Sequence, residues 1–164
     1  MTKSKTLRTI LIVACIMILV GVFVLAWMLM TAEERNVIRV SLEMGDSKPV
    51  VFEALDLVPG DSRGYEIRLV KEGSDKYDLR IDFVETGDGT LKNYARVKII
   101  AHGEAVYDDL LANALESESI VLAVDFKEKQ NTEFQVVYYL PPDVGNEAKN
   151  AEAKVGLLLT ASNE

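Results

Sequence analysis

Residues Thr9 to Met30 form an unbroken apolar run behind Lys3, Lys5 and Arg8, and the polar remainder of the chain follows it. As a helix rising ~1.5 Å per residue, the 21 residues from Ile10 to Met30 span ~31 Å, about the hydrocarbon thickness of a bilayer. The run therefore predicts a single N-terminal transmembrane helix over residues 9–30. Three cations before it, and Glu33, Glu34 and Arg35 after it, put the N-terminus in the cytoplasm by the positive-inside bias. The expected organisation is a cytoplasmic basic segment (1–8), a signal-anchor or uncleaved signal helix (9–30), a tether (31–36) and an extracytoplasmic domain (37–164). Two readings compete. Cleavage after Ala32 would release the domain, although the run is longer than the ~7 to 15 apolar residues of a typical signal peptide and Met30 stands at the upstream cleavage position. Ile12-Val13-Ala14-Cys15 loosely resembles a lipobox, but a thiol buried in a membrane helix accounts for Cys15 more simply.

The charge is unevenly divided. The whole chain carries −8, whereas residues 31–164 hold 15 Lys and Arg against 26 Asp and Glu, a net −11. Such a field repels nucleic acid, and no Lys/Arg cluster beyond residue 8 offers a phosphate-binding stripe, so no nucleic-acid partner is expected. The single cysteine, Cys15, lies in the apolar run, so no disulfide can form inside the domain. The 134 residues beyond it suffice for one domain with a real core.

After the tether the hydrophobic period becomes two, the signature of strands with one buried face. Ile38, Val40, Leu42 and Met44 alternate with Arg39, Ser41 and Glu43. A second strand is expected over Val50 to Leu57, a turn at Pro59-Gly60-Asp61, and a third strand through Tyr65, Ile67 and Leu69. The clearest alternation sets Tyr77, Leu79, Ile81 and Phe83 against Asp78, Arg80 and Asp82. Further strands are expected at Val97 to Ala101, Ile120 to Phe126, Phe134 to Leu140 and Lys154 to Ala161. One short helix is expected over Asp109 to Leu115, with Asp108 as its cap. About eight strands without interleaved helices predict an all-β antiparallel sandwich rather than βαβ units.

Residues that could carry chemistry are few. His102 is the only histidine, no H-E-x-x-H helix exists, and a zinc site would need an unusual carboxylate set. Beside Gly103 at a strand end, His102 reads as a turn residue. Asp75, Asp78, Asp82, Glu85 and Asp88 cluster in sequence but match no calcium-loop spacing, so a solvated acidic face is expected. No catalytic, cofactor-binding or metal-binding residue is assigned, and no cofactor is expected.

The turn Leu57-Val58-Pro59-Gly60-Asp61-Ser62, the strand at Tyr65 and the turn at Gly73-Ser74 resemble the camelysin family, which includes the TasA-type biofilm matrix fibre proteins of Gram-positive bacteria. The resemblance continues through Val106-Tyr107-Asp108, Tyr139-Leu140-Pro141, Gly145-Asn146-Glu147 and Leu157-Leu158-Leu159-Thr160-Ala161, covering most of residues 35–162. It implies a jelly-roll-like sandwich, export through the apolar segment and assembly at the cell surface. The chain departs from the family pattern at Met30-Thr31-Ala32-Glu33, where an aromatic processing tail is expected, and at Ala148-Lys149 after the Asn-Glu pair.

The expected function is that of a displayed structural or assembly module, with other copies or related surface proteins as partners and the membrane engaged through residues 9–30. The strand Val37 to Met44 carries most of the promise, because a strand on a tether can complete its own sheet or pair with a neighbour's. The alternatives are a membrane-anchored ectodomain that binds or senses a cell-envelope ligand and, more remotely, a camelysin-like metallopeptidase.

Overall fold

The structure, a computed structural model, describes residues 36–128, 132–148 and 150–163. The expected transmembrane helix, 9–30, lies outside the described residues, as does the tether up to residue 35. Among the described residues no helix is long and apolar enough to cross a membrane.

Among the described residues nine strands and one α-helix follow in chain order: β1 (Asn36–Leu42), β2 (Ser47–Val51), β3 (Ser62–Lys71), β4 (Lys76–Gly87), β5 (Arg96–Ala101), β6 (Glu104–Leu110), α1 (Leu111–Glu116), β7 (Ile120–Asp125), β8 (Glu133–Tyr139) and β9 (Lys154–Ser162). They form a five-stranded sheet of order β1-β3-β8-β5-β6 and a four-stranded sheet of order β2-β9-β4-β7. The protein is thus an all-β sandwich, as the period-two patterning predicts. On β4, Tyr77, Leu79, Ile81 and Phe83 are buried while Asp78, Arg80 and Asp82 face outward. The inward set of β9, Val155, Leu157, Leu159 and Ala161, is almost wholly inaccessible, and it meets Ile67, Leu69, Val97, Ile99, Val136 and Tyr138 of the other sheet in one core cluster.

Turn chemistry fixes how strands change sheet. Asp61 N–H donates to the Val58 carbonyl (2.9 Å) with Gly60 at φ +94°, so Pro59 and Gly60 occupy the positions of a turn that needs a restrained φ and then a left-handed residue. The β5–β6 hairpin closes with only His102 and Gly103 between the paired Ala101 and Glu104, both at positive φ, as a two-residue hairpin requires.

Four expectations are corrected. The sandwich is not wholly antiparallel: β1 runs parallel to β3, Asn36 opposite Tyr65 and Leu42 opposite Lys71. The chain between them visits the other sheet as β2, and so long an excursion brings the returning strand back in either sense. The second strand ends at Val51 rather than Leu57, because residues 52–57 climb from one sheet to the other; only Leu55 pairs, with Ala153. Phe52, Leu55 and Leu57 are nevertheless buried. Glu104–Leu110 is an additional strand, an edge strand whose mixed polarity hides it from pattern reading. The helix therefore starts at Leu111, and Asp108 lies in β6 rather than capping it. Asp109 instead accepts the Leu110 N–H (2.6 Å) and the Asn113 side-chain amide (3.2 Å).

Two core tyrosines are buried with no hydrogen-bond partner for their hydroxyls, Tyr77 against Phe126 and Tyr138 against Phe52 and Tyr65. Burial pushes the Tyr77 phenol up to about 12 and the Tyr138 phenol well above its ordinary value. Unfolded tyrosine ionises near 10.0, so the stability tied to the neutral phenols is complete below that pH and is lost as pH rises toward the folded value, about 12 for Tyr77. Tyr77→Phe and Tyr138→Phe should therefore match or exceed the parent by up to ~1 kcal/mol in urea unfolding at neutral pH, since no hydrogen bond is lost. Both should also shift alkaline unfolding to higher pH. A clear loss of stability at neutral pH would show that the hydroxyls have partners.

Candidate interaction edge

The structure first disposes the residues that could have carried chemistry. His102 occupies the β5–β6 turn at φ +55°, in line with its reading as a turn residue. The acidic group is spread out: Asp75 pairs with Lys71, Glu85 accepts Lys92 Nζ (2.6 Å), Asp82 accepts the Ser119 hydroxyl, and Asp78 faces outward on β4. Among the described residues no three His, Cys, Asp or Glu side chains are grouped as a metal site.

The one element of the expected site that the structure places distinctly is β1. It ends the five-stranded sheet, paired on one side with β3 only. Its inward residues Val40 and Leu42 are buried and Ile38 packs partly against the core, while Asn36, Val37 and Arg39 are exposed. β1 thus completes its own sandwich, and along Asn36 to Val40 nothing among the described residues pairs with the main-chain groups on its outer side. Its far end is held. Lys48, the second residue of β2, donates from Nζ to the Ser41 carbonyl and approaches Ser41 Oγ at 3.3 Å, fastening the edge of one sheet to the edge of the other.

The sheet surface behind β1 is stitched by ion pairs. Arg68 donates to Glu66 (2.6 Å), the only buried charged residue among those described, and its Nε lies 3.5 Å from Glu133 on β8. At the other end of the same sheet, Arg96 Nε and the Asp108 carboxylate both meet the Tyr139 hydroxyl at 2.8 Å, while Arg96 and Lys98 each reach Asp108 at 3.1 Å. Burial works to raise the Asp108 carboxyl, but hydrogen bonds from Tyr139, Lys98 and Arg96 outweigh it and hold the group below its ordinary value. Every acceptor and cation in this network is engaged by its neighbours, which marks it as a clamp across β6, β5 and β8. Sequence reading misses it, because the partners are 10 to 43 residues apart and meet only through strand register.

A scan against protein-family models finds no match, and a search of curated proteins finds no significant relative. The geometry of the edge therefore carries the functional argument.

Lys48→Met keeps the aliphatic stem and removes the donor. The expected result is a stability loss of ~1 kcal/mol, the ordinary worth of one such bond, together with faster amide exchange in β1 than in β3. Unchanged exchange in β1 on hydrogen–deuterium mass spectrometry would show that Lys48 does not hold the strand.

Proposed function

We propose that this protein is a non-catalytic structural or assembly module displayed at the cell surface, anchored through residues 9–30 and contacting other copies or related surface proteins through its strands. The observation that carries the reading is the position of β1: first of the described elements, last in its sheet, and paired among the described residues with β3 only. A strand so placed lends itself to strand-mediated contact, in which main-chain pairing supplies affinity and alternate side chains supply specificity.

One further feature supports it. The strand orders β3-β8-β5-β6 and β2-β9-β4-β7 face each other in a jelly-roll-like plan, with β1 added outside, and this agrees with the architecture implied by the camelysin and TasA-type resemblance.

Deleting residues 36–44 from the full chain tests the reading. Val40 and Leu42 are buried, and at about 1.5 to 3 kcal/mol for each side chain their loss should destabilise the sandwich by several kcal/mol. Self-association should be lost with it, and a peptide of residues 36–44 added in trans should restore the folded state. A deleted chain that stays equally stable and still assembles would overturn the proposal.

A further inference from the structure

Every open sheet ends in two strands with a row of unpaired main-chain donors and acceptors, and natural proteins usually blunt these edges with charge, proline or a bulge. The sandwich has four such edges, β1 and β6 on one sheet, β2 and β7 on the other. Three of them differ sharply from the fourth. On β2, Pro49 lacks an N–H and Lys48 reaches across to β1. On β6, the register shifts opposite Ile99 and Ile100, and Glu104, Asp108 and Asp109 add charge. β1 carries one charge, Arg39, and among the described residues its outer edge is held only at its Ser41 end. Along β7, Ile120 to Val124 contains no charge, no proline and no register shift. Val121 there is 54% exposed, and the inward-facing Ile120 and Leu122 are only half-buried, so the edge presents apolar side chains beside a backbone whose outer side pairs with nothing among the described residues.

We propose that the outer edge of β1 in one copy pairs with the outer edge of β7 in the next, joining copies head to tail without removing β1 from its own sheet. This inference rests on the assembly reading above and names its contact. Charge selects the pairing. Arg39 is exposed and has no ion pair among the described residues; Glu116 and Glu118, just before β7, are exposed and likewise unpaired. In an antiparallel β1–β7 contact with Val37 opposite Val121, Arg39 falls opposite Ser119 and beside Glu118, whereas antiparallel β1–β1 pairing centred on the strand sets Arg39 against itself. Because β1 ends one sheet and β7 ends the other, the contact joins two different surfaces. It leaves one unused edge of each kind at the ends of every oligomer, so it propagates as an open filament wherever the rotation does not close a ring.

The test uses the full chain in detergent micelles with Cys15→Ser, carrying Val37→Cys and Val121→Cys together or singly, treated with a short bis-maleimide. Both substituted positions are exposed, so the fold should be retained. The expected result is a ladder of dimer, trimer and higher species from the double variant, none from either single variant, and dimer alone when the two single variants are mixed. Val121→Lys, with cooperative unfolding preserved, should reduce the sedimenting oligomer on the order of tenfold, the effect of about 1.4 kcal/mol at the contact. Cross-linked dimer from either single variant would overturn the inference in favour of a symmetric contact. Filaments without a ladder would overturn it while leaving the assembly reading standing. A parent chain that sediments only as monomer would take down both.

Discussion

The sandwich depends on its last two strands entering the middle of its two sheets. β9 lies between β2 and β4, and β8 between β3 and β5, so each sheet joins an early and a late part of the chain only through a strand that is made at the end. The inward side chains of these two strands, Phe134, Val136 and Tyr138 with Val155, Leu157, Leu159 and Ala161, face one another across the core and are almost fully buried. Neither sheet exists without them. Pairings such as Ser47 with Thr160 and Ser62 with Tyr139 close very long loops before they return any contact energy, which makes folding slow and all-or-none rather than stepwise. Close approach at Gly156 sharpens the constraint, since a side-chain carbon there would lie 2.8 Å from the Val50 carbonyl oxygen on β2.

How much of this is legible in the chain depends on whether a segment has one wet face. β3, β4, β5, β8 and β9 do, and their alternation is plain: Tyr77, Leu79, Ile81 and Phe83 against Asp78, Arg80 and Asp82 needs no structure to interpret. β6 fails the same reading because an edge strand is wet on more than one side, so Glu104, Ala105, Val106 and Asp108 show no dry face to alternate with. Residues 52–57 mislead in the opposite way: Phe52, Leu55 and Leu57 are apolar because they fill the end of the core while the chain changes sheet, not because they continue β2. The parallel sense of β1 is invisible locally, since direction is set by the excursion through β2 rather than by anything within Asn36–Leu42.

Site residues divide along the same line. His102 as a turn residue is readable from its neighbour Gly103, a local signal. The Arg96, Lys98, Asp108 and Tyr139 clamp is not, because its members come together only through the register of β6 with β5 and of β5 with β8. Edges are the least legible of all. Ile120 to Val124 reads as a strand from its composition, yet only the sheet order shows that nothing among the described residues pairs with its outer side.

The central placement of β8 and β9 also decides which strands can change partners. A strand flanked on both sides, such as β9, cannot leave without breaking two ladders and opening the core. β1 breaks one ladder and uncovers Val40 and Leu42, so its release costs far less than global unfolding and belongs to the low end of the local stability range. An acidic surface of net −11 over residues 31–164 keeps copies apart everywhere that contact would be made by side chains alone. Backbone pairing at an uncharged edge is the interaction that this repulsion opposes least, because its donors and acceptors are neutral and its apolar neighbours gain by leaving water. On the assembly reading, this repulsion favours contact at edges that carry little charge and an uninterrupted backbone: β7 has no charge from Ile120 to Val124, β1 has Arg39 alone, and β2, with Lys48 alone, is interrupted by Pro49.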